Sequence, residues 1–195
     1  LVPFTGLGLH NGFRGNAWLS NRIKIFVLYT LQSLLNQSDK ENLYVWMTWR
    51  AEEKQNPIVQ DFIEYLGKIE DLKFVHTFHG LPFWDDKYPD EVASKRLKKT
   101  LEGSLPTLGT LVGDAEYILL TIYPSDDMYL SNAFKDIKAK ANEFLEYNQT
   151  NHSIGYRQGY IMNMRTKEIA EYSTHGWKTD HISTYHTDTI PPFFT

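Results

Sequence analysis

The stretch Glu116-Tyr117-Ile118-Leu119-Leu120-Thr121-Ile122-Tyr123-Pro124-Ser125-Asp126-Asp127 decides how this chain is read. From Tyr117 to Tyr123 it is short, apolar and rich in aromatic and β-branched residues, the pattern of a strand buried on both faces. Pro124 ends the run, and two adjacent carboxylates follow. Two more runs of this kind lie upstream: Leu43-Tyr44-Val45-Trp46-Met47-Thr48-Trp49 and Lys73-Phe74-Val75-His76-Thr77. Leu1-Val2-Pro3-Phe4 is a fourth, shorter one. Helical patterns separate them. Ser20 and Asn21 can cap a helix with Ile23, Phe26, Val27, Leu31, Leu34 and Leu35 on its apolar face, ending near Asn36. Asn56-Pro57 starts a second, with Ile58, Val59, Phe62, Ile63 and Leu66 inward. Pro89 opens a third, with Lys95, Arg96, Lys98 and Lys99 on its solvated side, before Gly103 and Pro106.

Alternating strand and helix predict an α/β fold, a mostly parallel sheet with helices on both faces. Right-handed crossovers then gather the strand ends on one edge. The last third differs: a helix from about Ser131 to Tyr147 precedes a hairpin formed by 155–164 and 168–172 around a turn at Arg165-Thr166-Lys167. No repeat or linker interrupts the sequence, so residues 1–195 read as a single domain.

Composition narrows the chemistry. The 195 residues are 42% hydrophobic and 14% aromatic, which excludes disordered and collagen-like chains. Twenty Lys and Arg against 24 Asp and Glu give a formal charge of −4, against the cationic excess of a duplex-binding protein, so no nucleic-acid partner is expected. With no Cys, disulfides and thiolate sites are impossible and any metal must take oxygen or nitrogen ligands. No stretch approaches the roughly 20 apolar residues of a transmembrane helix. Leu1 is not Met, and the chain stops on Pro191-Pro192-Phe193-Phe194-Thr195; a piece of a longer chain is the expectation.

In an open α/β sheet, ligands sit beyond the carboxyl ends of the strands. Asp126 and Asp127 fall there, and adjacent carboxylates on a turn suit a hard divalent cation, Mn²⁺ or Mg²⁺, shared with a diphosphate. The bland alternative has Asp126 capping the next helix and Asp127 complementing its dipole. Arg50, after the second strand, could meet a nucleobase or ribose, or belong to a solvated charge run with Glu52 and Glu53. Arg96 and Lys99 could reach a diphosphate, or face water. Asp85 and Asp86 beside Trp84 could shape a sugar-acceptor site, or simply make a turn. His175, Asp180, His181, His186 and Asp188 lack helical metal-ligand spacing and read as a polar loop, from which Asp180 or Asp188 could be a general base. Gly6-Leu7-Gly8-Leu9-His10-Asn11-Gly12 misses the dinucleotide-binding spacing by one residue and fits a mobile loop.

Arg22-Ile23-Lys24-Ile25-Phe26, Tyr29 to Gln37 with its Ser33-Leu34-Leu35-Asn36-Gln37 turn, and Glu116 to Thr121 leading into Ser125-Asp126-Asp127 resemble the GT-A class of nucleotide-sugar glycosyltransferases. They are similar, more narrowly, to a rhamnosyltransferase group. In that group a helix carrying Arg and Phe ends in Ser-Leu-x-x-Gln, a strand ends in Thr-Arg-x-Asp-x-Asp-Asp, and Pro-Phe follows late, as Pro192-Phe193 does here. The likeness covers most of residues 1–130. It implies a GT-A-like fold with a nucleotide-sugar half over about 1–128 and an acceptor half over 129–195. It implies a metal-dependent transfer of a sugar from a nucleotide-sugar donor to a carbohydrate or other hydroxyl acceptor, in the cytoplasm or peripheral to a membrane. Asp126 matches the group's second motif Asp, the usual direct metal ligand, with Asp127 its neighbour; Arg22 matches the helix Arg, and with Ser125, Arg50 and Arg96 is a candidate for the nucleotide. Ile122 and Pro124 stand where the group has Arg and the first Asp, a sugar or ribose contact, which puts donor binding in doubt. A late His ligand would lie beyond Thr195. The competing expectation is a degenerate domain that binds carbohydrate or acts as a scaffold without turnover.

Overall fold

Strands β1 (Val2–Pro3), β2 (Tyr44–Thr48) and β3 (Lys73–Thr77) form a parallel sheet in the order β1-β2-β3. Val2 pairs with Met47, and β2 runs beside β3 from Tyr44 opposite Lys73 to Thr48 opposite Thr77. The computed structural model describes residues 1–5, 15–81, 93–146, 153–156, 158–163, 165–173 and 182–185. They belong to two compact units, Leu1–Ser131 and Asn132–Thr195.

Alternation along β2 sends its side chains to opposite faces, and each face meets helices. On one side Trp49 lies 4.7 Å from the Phe4 ring, and Phe4, Phe26 and Phe62 pack mutually at 5.6 to 5.7 Å. Phe26 belongs to the helical run after β1 and Phe62 to α3 (Pro57–Gly67). The expected start of α3 is found: the Asn56 side chain accepts from Ile58 N at 3.1 Å, Pro57 fills the first turn, and Val59, Phe62 and Leu66 are buried. On the other side Leu1, Trp46 and Val75 form a cluster covered by Leu97, Leu101, Leu108 and Leu111 of α4 (Ala93–Val112).

Three expectations about α4 and residues 117–123 need correction. First, α4 runs through Gly103 and Pro106. Gly103 is accommodated because a Cβ there would sit 2.9 Å from the Cβ of His79; the helix needs a residue without one to lie against the loop after β3. Second, Arg96 is not on the solvated side: it is 2% exposed and stacks with buried Thr100 and Ser104 at four-residue spacing, while Lys95, Lys98 and Lys99 are exposed. Thr100 Oγ1 accepts from Leu81 N, and Ser104 Oγ donates to Thr77 Oγ1. The sheet-facing stripe of α4 is therefore partly polar because it covers a strand end, where backbone groups need partners.

Third, residues 117–123 do not form a regular strand. Leu1 N donates to Thr121 O at 2.7 Å and Tyr123 N donates to Leu1 O at 2.8 Å, which sets Ile122 opposite Leu1 in parallel register on the outer side of β1. Only that end of the run meets a partner among the described residues. Tyr117, Ile118, Leu119 and Leu120 lie before the register point and are exposed, Ile118 at 67%. Tyr123 is buried.

The helix after β1 begins at Asn16, ahead of the expected cap, as α1 (Asn16–Ile25), because Leu19 is fully buried and needs the earlier turn. It continues through a π-helical turn (Phe26–Thr30) into α2 (Leu31–Leu35). In the second unit α5 (Ala133–Glu146) precedes β4 (Ser153–Tyr156), β5 (Gln158–Met162), β6 (Ile169–Ser173) and β7 (Ile182–Tyr185). The expected hairpin is β5 with β6, antiparallel from Gln158 opposite Ser173 to Met162 opposite Ile169. β4 pairs instead with β7, from Ser153 opposite Tyr185. The polar loop expected over 175–188 thus contains a strand at Ile182-Ser183-Thr184-Tyr185, whose two β-branched residues and Tyr suit a ladder. Among the described residues no helix is long and apolar enough to cross a membrane.

Candidate functional site

Both α1 and α3 pack on one face of the sheet and α4 on the other, so the winding reverses between β1 and the 121–123 segment. In an open α/β sheet that reversal opens a crevice at the carboxyl ends of the two strands concerned. Residues 124–127 follow directly at that end of the 121–123 segment. Asp127 N donates to Pro124 O at 3.3 Å, closing a turn whose central residues are Ser125 and Asp126. The helix-capping alternative is thereby removed: α5 begins at Ala133, and the acid in its first turn is Asp136.

Arg22 of α1 reaches this turn from 103 and 104 residues away in sequence. Its Nε donates to Ser125 Oγ, and its two terminal nitrogens donate one to each oxygen of Asp126, all at 2.8 Å. This fork-to-fork pairing is the strongest geometry open to a guanidinium and a carboxylate. The Trp18 ring lies 6.0 Å from the same guanidinium. Of the candidate residues, Arg22, Ser125, Asp126 and Asp127 are brought together. Burial, then the charge of Asp126, push the Asp127 carboxyl up to about 6, and Arg22 pulls it part of the way back. The turn thus keeps negative potential beyond what Arg22 neutralises.

A polar row on the helix fixes the segment around this turn, and the sequence reading missed it. Thr30 Oγ1 donates to Ser125 O at 3.1 Å, Gln37 Nε2 donates to Leu130 O at 2.9 Å, and Ser38 N donates to Ser131 O at 2.7 Å. The Ser33 and Tyr123 hydroxyls share a hydrogen bond, and Tyr129 N donates to Tyr123 OH at 3.1 Å while the two Tyr rings stack at 4.4 Å. At about 100° per residue, eight α-helical steps would leave Arg22 and Thr30 about 80° apart. The π turn, where Leu31 N bonds back to Phe26 O, absorbs one extra residue and brings the two within about 20° of one line. Gln32 Nε2 donates to the Val27 carbonyl inside that turn. Thr30, Ser33 and Gln37 at helical spacing on an otherwise apolar face were the available signal.

The remaining candidates lie elsewhere. Arg50 N donates to Thr5 Oγ1 at 3.1 Å and its guanidinium to Glu52 at 3.3 Å. Arg96 is buried on the covered face of α4. Glu53, read as part of a charge run, is 4% exposed; its carboxyl accepts from Asn56 Nδ2 at 2.9 Å, and desolvation raises its pKa. Asp180 and Asp188, with Trp84, Asp85, Asp86, His175, His181, His186 and the glycine loop at 6–12, lie outside the described residues.

His76 borders this edge at β3, its Nδ1 accepting from Trp49 Nε1 at 3.2 Å, and burial pushes its pKa down to about 4. The ordinary value is about 6.5. The folded chain therefore holds this contribution in full above pH 6.5 and loses it as pH falls towards 4, where only the unfolded chain takes up the proton. His76 by itself contributes a loss on the order of 2–3 kcal/mol across that window, which the raised Asp127 carboxyl opposes because the folded chain takes up that proton first. Urea melts at pH 7 and pH 4.5 check it: His76→Gln, which retains an acceptor for the indole, should keep more of its pH 7 stability at pH 4.5 than wild type does, and an unaltered difference between the two pH values would refute the assignment.

The donor set fits a hard cation of the Mg²⁺ or Mn²⁺ kind. Each ionised carboxylate oxygen has two lone-pair sites, so Asp126 retains acceptor capacity beside its bonds to Arg22. Such ions commonly bind through one or two carboxylates together with substrate phosphates and waters. Among the described residues no group of three or more His, Asp or Glu converges, so a cation here would depend on a ligand's oxygens. Comparison of the chain with family models, with curated proteins and with solved structures finds no match.

Proposed function

We propose that the chain is a metal-dependent glycosyltransferase domain of GT-A type, which takes a nucleotide sugar in the crevice between β1 and residues 124–127. The observation that carries the reading is the Arg22, Ser125, Asp126 and Asp127 cluster at the point where the sheet's winding reverses. That is the place where an open α/β sheet receives phosphorylated ligands, and the cluster offers both a diphosphate-sized cation and carboxylates for a metal. Asp126 and Asp127 would hold Mn²⁺ or Mg²⁺, which when bound neutralises charge on the departing nucleoside diphosphate. Arg22 orients phosphate oxygens through its planar fork. Thr30 and the Ser33 and Tyr123 pair hold the turn in place, so the carboxylates do not have to be ordered when the ligand arrives. The acceptor is a carbohydrate or another hydroxyl compound.

The test is thermal unfolding with UDP, GDP or dTDP, with and without Mn²⁺. One of the three is expected to raise the melting temperature only when the metal is present. If no nucleotide does so, the transferase reading fails. Glycan binding that persists in excess EDTA would instead support a carbohydrate-binding or scaffolding domain without turnover.

A further inference from the structure

The Arg22 guanidinium occupies both oxygens of the carboxylate that the proposed metal would use. Its position is not adventitious: Ser125 holds Nε, Trp18 lies beside the guanidinium, and the π turn sets the helix face that carries it. A divalent cation on Asp126 would stand next to a fixed positive charge, which opposes its binding. Arg22 is also partly open, its side chain 24% exposed, as is that of Asp126 at 43%. It can therefore exchange its carboxylate for another anion without leaving the crevice.

We propose that Arg22 is a built-in counter-cation that keeps divalent metal off Asp126 until a diphosphate-bearing ligand arrives and takes over the guanidinium. Metal and nucleotide then bind as a pair: the diphosphate draws Arg22 from the carboxylate, and the freed carboxylate and the diphosphate together hold the ion. Such coupling is reciprocal, each ligand strengthening the other by the same factor. The inference rests on the transferase reading for the identity of the ligand, but its test on the metal alone does not need that ligand.

The experiment measures Mn²⁺ binding by the loss of the free-ion electron paramagnetic resonance signal. Wild type, Arg22→Gln and Arg22→Lys are titrated with Mn²⁺ alone and with Mn²⁺ plus the nucleoside diphosphate. Arg22→Gln is expected to bind Mn²⁺ alone at least about tenfold more tightly than wild type, because a unit charge at contact distance has been removed. Arg22→Lys, which keeps the charge, should stay near wild type, and both variants should bind the nucleotide more weakly. Equal Mn²⁺ affinity in wild type and Arg22→Gln overturns the proposal and leaves the transferase reading standing. Failure of every form to bind Mn²⁺, with or without nucleotide, overturns both. A measurement that does not use Arg22→Gln guards against loss of folding in that variant. The Nε–H resonance of Arg22, identified by its absence from the Arg22→Lys spectrum, should move when diamagnetic Mg²⁺ and nucleotide are added together and not with Mg²⁺ alone. A resonance that stays in place while both bind overturns the proposal.

Discussion

Trp49→Ala is expected to lower unfolding free energy by about 3–5 kcal/mol, the range for deleting a fully buried large aromatic side chain. Trp49 is 0% exposed, tilts against Phe4 at 4.7 Å and meets the Phe62 ring edge-on at 6.2 Å. Truncation would leave a void at the point where β1, β2 and α3 meet, and rigid neighbours cannot fill it. Two backbone bonds, from Trp49 N to Thr77 O and from Gly80 N to Trp49 O, both at 2.9 Å, limit how far the strand can collapse. The loss also removes some of the burial that holds the His76 pKa low, so the His76 share of the acid sensitivity described above should shrink. Urea denaturation at pH 7 and pH 4.5 measures both effects; a cost below about 1 kcal/mol would show that the aromatic cluster is not the core. Trp49→Phe should cost much less, since it keeps most of the packing.

Asp126→Asn is expected to abolish the metal-dependent stabilisation by nucleoside diphosphate. At 100 to 1,000 times the dissociation constant that stabilisation is about 2.7–4.1 kcal/mol, or roughly 5–15 °C in a chain of this size. Without ligand the same variant should lose only about 1 kcal/mol or less, because the Asp126 side chain is 43% exposed and solvent screens its pairing with Arg22. Asn also keeps one oxygen for the guanidinium. The contrast between a small effect on the free chain and a large one on the ligand-bound chain separates a ligand residue from a structural ion pair. A shift retained in full by Asp126→Asn would remove Asp126 from the metal site.

Elements whose information is local were legible in advance. In α3 the cap, the proline and the inward positions lie within eleven residues: Asn56, Pro57 and buried Val59, Phe62 and Leu66 appeared where expected, while Ile58 and Ile63 are half-buried. The β5 and β6 hairpin was legible for the same reason, since turn and strands are adjacent, although the expected first strand also took in Gly155 and Tyr156, which pair with β7. Residues 117–120 misled because an apolar run reports only that a strand would be stable if covered; it carries no information on the length of its neighbour, and β1 supplies pairing only at its end. Arg96 misled because a basic residue among lysines reads as solvated, whereas its place in line with Thr100 and Ser104 puts it against the sheet. The strand at Ile182–Tyr185 was obscured by its polar surroundings.

By itself the sequence determined the alternation of strands and helices, the absence of thiol chemistry and the pair of acids after an apolar run. These follow from side-chain periodicity and composition, which act over a few residues at a time. Tertiary structure alone decided what those acids face. Arg22 meets Ser125 and Asp126 across more than a hundred residues, through a parallel pairing at Leu1 and a π turn that brings Arg22 into line with Thr30. No local pattern encodes that meeting, because it depends on the direction of the sheet's winding and on one extra residue in a helix. It turns two exposed-looking carboxylates into one neutralised acid and one whose proton is held to about pH 6.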